Sequence, residues 1–282
     1  MTEPVEICEV APRDGFQAIQ APIATDAKIG IVRRLAAAGL TRIETGAFVS
    51  PVHVPQMADT AEDAFAAGIA DIVYVFSVSE SHNQANVRRP VAASIDQLGA
   101  VIARGREVAG FRLRVNLATV FDCPFEGGVD PDAVFAALER VLGFGHPVEV
   151  GLCDTTGRAF PNQVATVCAA AIDRFSGSGI GWAFHGHDTF GLGVANALFA
   201  HQAGVRVFDA AAAGLGGCPF APGATGNTAT EDLVFTFANM GVATGVDLDR
   251  LLDAAEATAA VPGAQTGGHL RHVPRRRALA AA

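Results

Sequence analysis

The chain has 282 residues, 50% hydrophobic and 17% charged, enough length to bury roughly 75% of its unfolded surface in one core. Lys and Arg number 20 against 29 Asp and Glu, a net charge of −9, which argues against a nucleic-acid partner because phosphate tracking draws on a basic surface. The five cysteines, Cys8, Cys123, Cys153, Cys168 and Cys218, form no CxxC pair, which argues against a disulfide framework or zinc ribbon and fits a reducing compartment. No segment reaches 18 uninterrupted apolar residues, so a cytoplasmic protein without a membrane span is expected.

In chain order, short apolar runs at 5–12, 41–48, 71–79, 111–120, 147–157, 179–187 and 205–214 read as strands, with helical periodicity between them. The first helix is expected after a Thr25 cap, with Ile29, Val32, Leu35 and Ala36 on one face and Gly39 as its stop. Pro161 begins another, in which Val164, Val167, Cys168, Ala171, Ile172 and Phe175 recur at helical spacing. Strands alternating with helices predict a parallel sheet closed as a TIM-type (β/α)8 barrel over residues 1–260. Residues 261–282, with the run Arg275, Arg276 and Arg277, are expected to form a disordered tail. The runs number seven where a closed barrel has eight, which leaves one βα unit missing or rearranged.

In such a barrel the chemistry belongs at the C-terminal ends of the strands and in the loops that follow. Arg13, Asp14 and Gln17 follow the first run, Glu44 ends the second, and Asp122 and Cys123 follow the fourth. Asp154 ends the fifth, His185 and His187 end the sixth, and a glycine-rich stretch containing Cys218 and Asn227 follows the seventh. Alternate residues of a strand share a face, so His185 and His187 can reach one metal ion. With the Asp14 carboxylate and the Asn227 amide oxygen they make an octahedral divalent site suited to Mg²⁺ or Mn²⁺, with Zn²⁺ or Co²⁺ left open. Asp188 points to the opposite strand face and reads as structural or as support for the ligands. Arg13 reads as a clamp for a carboxylate or a developing enolate oxygen. Asp154 reads either as a turn holder or as a functional rim carboxylate. Cys218, among glycines in a loop, is a candidate acid or nucleophile, whereas Cys8 packs inside a strand. Neither GxxxxGK[ST] nor a GxGxxG after the first strand occurs, which argues against phosphate-loop and dinucleotide binding.

Four blocks, EVAPRDGFQ (9–17), IETGAFVSPVHVPQMAD (43–59), FHGHDTFGLGVANAL (184–198) and AGLGGCPFAPGATGNTATEDLV (213–234), carry a resemblance to the 3-hydroxy-3-methylglutaryl-CoA (HMG-CoA) lyase family. That family lies within a group of metal-dependent TIM-barrel lyases and Claisen synthases. The resemblance implies retro-Claisen cleavage of HMG-CoA, or of a close 3-hydroxyacyl-CoA, to acetyl-CoA and a keto acid, with leucine degradation as its setting. It implies Asp14, His185, His187 and Asn227 as ligands of the divalent cation and Arg13 as stabiliser of the enolate. Cys218 would be the acid/base, and Glu44, Asp154 and Glu231 supporting polar groups. A homodimer is the family expectation. Two departures from the family pattern stand out: the short segment after Asp59, where the resemblance implies a further βα unit that is missing or rearranged here, and Asn116 at a position where many members carry a tyrosine. A shorter amide there enlarges the pocket, which keeps citramalyl-CoA or a 3-substituted glutaryl-CoA as alternative substrates. A Claisen-condensing synthase and a non-catalytic ligand-binding barrel are also compatible with these residues.

Overall fold

The computed structural model describes residues 3–47, 69–146, 149–217 and 226–280. Each of the seven predicted runs contains a strand of one parallel sheet: β1 (Glu6–Glu9), β2 (Arg42–Ile43), β3 (Asp71–Ser77) and β4 (Arg112–Ala118) come first. A small antiparallel ribbon follows, made of β5 (Asp122–Cys123) and β6 (Gly127–Gly128). The sheet then resumes with β7 (Glu149–Asp154), β8 (Gly181–Gly186) and β9 (Val207–Ala210). The helices are α1 (Thr25–Ala37), α2 (Glu80–Val87), α3 (Val91–Gly105), α4 (Pro131–Leu142), α5 (Pro161–Arg174), α6 (Gly193–Gln202), α7 (Thr230–Asn239), α8 (Leu248–Ala259) and α9 (Arg275–Ala280).

The sheet runs β2-β1-β9-β8-β7-β4-β3, the cyclic order of a (β/α)8 barrel with one place, between β2 and β3, not filled among the described residues. Residues 48–68, where the missing or rearranged unit is expected, lie outside the described residues. The sheet is rolled. Arg42 on β2 and Glu149 on β7 stand four places apart in the order, which in a flat sheet would separate the strands by about 19 Å. Yet Nη1 of Arg42 donates to Oε2 of Glu149 at 3.0 Å, across the barrel interior. Period-2 alternation then sends Leu113, Val115, Leu117, Val150, Leu152, Phe184 and Phe208, all 0–1% exposed, into the layer between sheet and helices.

Local sequence rules fix the helices. Asp130 precedes Pro131 and accepts the backbone N–H of Asp132 at 3.0 Å, capping α4. Gly39 follows α1 with φ +97°, where a Cβ would stand 2.7 Å from the Gly245 carbonyl oxygen, so only glycine fits. The expected cap and face of α1 need correction. Thr25 is already helical after an Ala24 cap, and the buried face is Ile31, Leu35 and Ala38, leaving Ile29 41% exposed. In α5 Val164, Val167, Cys168 and Ala171 are buried, with Ile172 and Phe175 packed partly against them. The C-terminal stretch, expected as a disordered tail, folds back onto the barrel's helices. Asp232 of α7 accepts the backbone N–H groups of His269 (2.8 Å) and Leu270 (2.7 Å), Leu270 and Ala278 are buried, and Arg275 pairs with Asp249 and Asp253 on α8.

Candidate active site

The chain leaves β1 in a widened turn. The carbonyl of Val10 lies within reach of three N–H groups, those of Arg13 (3.1 Å), Asp14 (2.8 Å) and Gly15 (3.3 Å). Gly15 allows the turn to press against the segment after β9, since a Cβ would lie 2.9 Å from Leu215 Cδ2 and 3.1 Å from the Leu215 carbonyl. This turn delivers Arg13 and Asp14 to the rim. From the end of β8, His185 and His187 reach the same place, their Nε2 atoms 3.2 Å apart and both rings buried. The backbone of Asn227 bridges that of His187. Its Nδ2 donates to Asp14 Oδ2 at 2.9 Å and to the Leu215 carbonyl at 3.0 Å.

This donor set fits a divalent cation. One ligand atom each from Asp14, His185 and His187 lies within 4.8 Å of the others, and Asn227 Oδ1 is a buried acceptor without a partner among the described residues. Two facing imidazole nitrogens, a carboxylate and an orphaned amide oxygen are the mixed set such an ion takes. The electrostatics agree. Burial, with His185 adding to it, pushes the His187 imidazole down to about 4, leaving it neutral with a lone pair to offer. Burial pushes the Asp14 carboxyl up, but Arg13, the two histidines and Asn227 more than offset it, so Asp14 stays below the usual carboxylate range.

Arg13 lies between two carboxylates. Its Nε donates to Glu44 Oε2 at 2.8 Å and its Nη1 to Asp14 Oδ1 at 2.9 Å, while Nη2 is 2.7 Å from Glu44 Oε2. Burial works against its charge and Glu44, then Asp14, hold it. Glu44 Oε1 is buried without a partner among the described residues. An arginine fixed at the mouth of a barrel, beside a site for a divalent cation, suits stabilisation of a developing oxyanion.

The HMGL-like family profile matches residues 4–60 and 49–258. This chain belongs to the HMGL-like family. It is a carbon–carbon lyase of that family, and the TIM-type barrel read from the sequence is its fold. An (R)-citramalyl-CoA lyase from Chloroflexus aurantiacus is 38% identical over 93% of this chain and 92% of its own. A hydroxymethylglutaryl-CoA lyase from Bacillus subtilis is 38% identical over 89% of this chain and 91% of its own. The structure of an HMG-CoA lyase from Acinetobacter baumannii, in complex with coenzyme A and 3-methylmalate, superposes with a TM-score of 0.86 at 35% identity, covering 95% of this chain and 94% of that one. Among the described residues no helix of the lyase is long and apolar enough to cross a membrane.

The structure draws Arg13, Asp14, Glu44, His185, His187 and Asn227 of this lyase together and leaves Asp154 apart. On β7, Cys153 pairs with His185 in register and shares its inward face, so Asp154 turns outward. Its carboxylate accepts the N–H of Ala159 at 3.3 Å and Nδ2 of Asn196 at 3.5 Å, holding the loop after β7, and burial pushes it up to about 7. Asp188 accepts the N–H of Gly193 at 2.7 Å, at the start of α6. Glu231 accepts the N–H of Ala213 at 3.1 Å and is pushed by burial up to about 8. Cys218 lies outside the described residues. Asn116, expected to widen the pocket, is 3% exposed beneath the rim, its Oδ1 accepting from Arg114 Nε at 2.7 Å. Sequence reasoning passed over Arg114 and Asp209, whose side chains meet through two bonds of 2.7 Å. Their signal was a charge inside each of two strands, RLRVNLA and VFDA, whose other buried residues are mostly apolar.

Proposed function

We propose that this lyase cleaves HMG-CoA to acetyl-CoA and acetoacetate by retro-Claisen chemistry. The observation that carries the reading is the placement of the Asp14, His185, His187 and Asn227 cluster beside the Arg13–Glu44 pair at the barrel rim. The coenzyme A and 3-methylmalate held by the Acinetobacter relative support a thioester of a small hydroxy acid. Citramalyl-CoA is the second reading. It shares the 3-hydroxy-3-methyl centre and the terminal carboxylate with one methylene fewer, and the lyase named for it is as similar as the Bacillus HMG-CoA lyase. The cysteine pattern, without a CxxC pair, supports a reducing compartment, and the cytoplasm is the one we assign to the reaction.

In the cleavage the C3 hydroxyl loses its proton, the C2–C3 bond breaks with its electron pair going to C2, and C3 becomes the ketone of the departing acid. The pair on C2 delocalises onto the thioester oxygen. Asp14, His185, His187 and Asn227 would hold a divalent cation, Mg²⁺ or Mn²⁺, which when bound would supply Lewis acidity that makes the hydroxyl more acidic. Glu44 Oε1, the acceptor beside Arg13 left without a partner among the described residues, takes the hydroxyl proton. Arg13 donates to the enolate oxygen as its charge develops, an interaction strongest in the transition state. Cys218 returns a proton to C2 to complete acetyl-CoA.

The test is acetyl-CoA release from HMG-CoA and from citramalyl-CoA, each with Mn²⁺ or with EDTA, in the wild type and in Cys218→Ala. Metal-dependent release from HMG-CoA that Cys218→Ala lacks is the expected result. Release from citramalyl-CoA alone would shift the assignment to the second reading. No release from either by the folded protein would refute lyase activity on both and favour a condensing enzyme or a ligand-binding barrel.

A further inference from the structure

Beneath the cluster, the barrel interior holds a chain of polar contacts that the chemistry above leaves without a role. Asp209, on β9, is 2% exposed. It accepts from Nη1 and Nη2 of Arg114 at 2.7 Å each, and its Oδ2 also lies 3.1 Å from Nδ1 of His185. Arg114, on β4 and 1% exposed, is fixed in turn: Nε donates to Asn116 Oδ1 at 2.7 Å and lies 3.4 Å from Glu149 Oε1. Gly151, on β7, leaves the room for it. A Cβ there would stand 2.1 Å from Asn116 Oδ1 and 3.0 Å from Arg114 Nη2.

A carboxylate gripped by both arms of a guanidinium can only accept hydrogen bonds. The hydrogen between Asp209 and His185 therefore sits on Nδ1, and when the ring is neutral its lone pair is on Nε2. Nε2 is the atom that faces His187 Nε2. We propose that Asp209 is a positioning residue that locks His185 in the Nδ1–H tautomer, presenting Nε2 as the ligand atom. Arg114, braced by Asn116 and by the absent side chain at Gly151, locks Asp209. The ligand half of this assignment rests on the cation reading of the cluster, and the tautomer half stands without any metal. An ion pair that merely stapled β4 to β9 would not set which ring nitrogen bears the proton.

The experiment is ¹⁵N–¹H multiple-bond NMR of the full-length, EDTA-treated protein with labelled histidine, His185→Gln assigning the signal, alongside Mn²⁺ affinity by EPR. Wild type, Asp209→Ala and the double variant Arg114→Met/Asp209→Ala are compared; the double variant avoids a lone buried charge and keeps the test alive should the single variant fail to fold. The wild-type His185 ring is expected to be protonated on Nδ1. Both variants are expected to lose that preference and to bind Mn²⁺ about 10–100-fold more weakly. A neutral wild-type ring protonated on Nε2 rather than Nδ1, or a folded double variant that keeps Nδ1–H and binds Mn²⁺ within about twofold of wild type, would overturn the assignment. A tautomer that depends on Asp209 in a wild-type protein that binds no Mn²⁺ would support the lock and sink the cation reading.

Discussion

Replacing Glu9 by Gln removes a pH dependence of stability that the wild-type chain carries between pH 5 and 8. Glu9 is fully buried, and its carboxyl accepts the N–H groups of Ala11 and Ala212 at 2.9 Å each and the Thr230 hydroxyl at 2.7 Å. Burial outweighs those three bonds and pushes it from 4.5 up to about 7. The folded state therefore holds the proton more tightly than the unfolded chain. The stability this gives is fully present below pH 4.5 and is lost as pH rises through 7. Between pH 5 and 8 the loss amounts to about 2.5 kcal/mol. A glutamine keeps the acceptor for Ala11 and Ala212 and the shape, and the Thr230 hydroxyl can turn to accept its amide N–H. Relative to wild type, Glu9→Gln should thus gain about 2.5 kcal/mol from pH 5 to pH 8. Urea unfolding of both proteins in EDTA at pH 5, 6, 7 and 8 measures this, and Glu231 and Asp154, present in both, cancel to first order. A stability difference that stays flat across those four pH values would refute the burial reasoning.

Arg13→Gln leaves the loop intact and removes the charge beside Glu44 and Asp14, so steady-state kinetics should show kcat lower by about 10²–10³ with a smaller change in KM. Asp14→Asn removes the one carboxylate of the cluster, and calorimetric titration with Mn²⁺ should show binding lost or weakened at least about tenfold. Gly151→Ala drives a methyl to 2.1 Å from Asn116 Oδ1, and its urea midpoint should report about 1–3 kcal/mol of destabilisation. Asp130→Ala removes the α4 cap and should cost about 0.5–2 kcal/mol in the same assay without altering kcat.

The seven strands and the cluster were legible because each followed a rule of period and place. His185 and His187 share a strand face by spacing alone, and the rim rule put Asp14 and Asn227 beside them. The rule says where strands end but not which way the last residue turns, and Asp154 shows the difference: the register that puts Cys153 beside His185 sends its neighbour outward. The face of α1 departs from expectation for a similar reason. Ile29, Val32, Leu35 and Ile31, Leu35, Ala38 are both helical stripes in sequence, and only docking on the sheet selects the second. The Arg114–Asp209 pair lay beyond reach because its two members come from strands far apart in the chain, and the role of Asn116 because it rests on that pair. Fully buried charges are rare without a partner, so a charge inside RLRVNLA or VFDA hints at a mate elsewhere, but only the rolled sheet says which.

That pairing has a price in time. β1 lies between β2 and β9, and Glu6 is in register with Val207. At about 5–20 residues per second, the ribosome needs ~10–40 s after making β1 to make its second neighbour. Throughout that interval one edge of the first strand has no partner, and Arg114 is synthesised well before the carboxylate that will neutralise it. A barrel whose ends meet this late has a high contact order, with slow closure and an exposed strand edge on the nascent chain. A chain truncated before β9 would keep both faults permanently. Fragments ending there should aggregate even though they contain Asp14, His185 and His187.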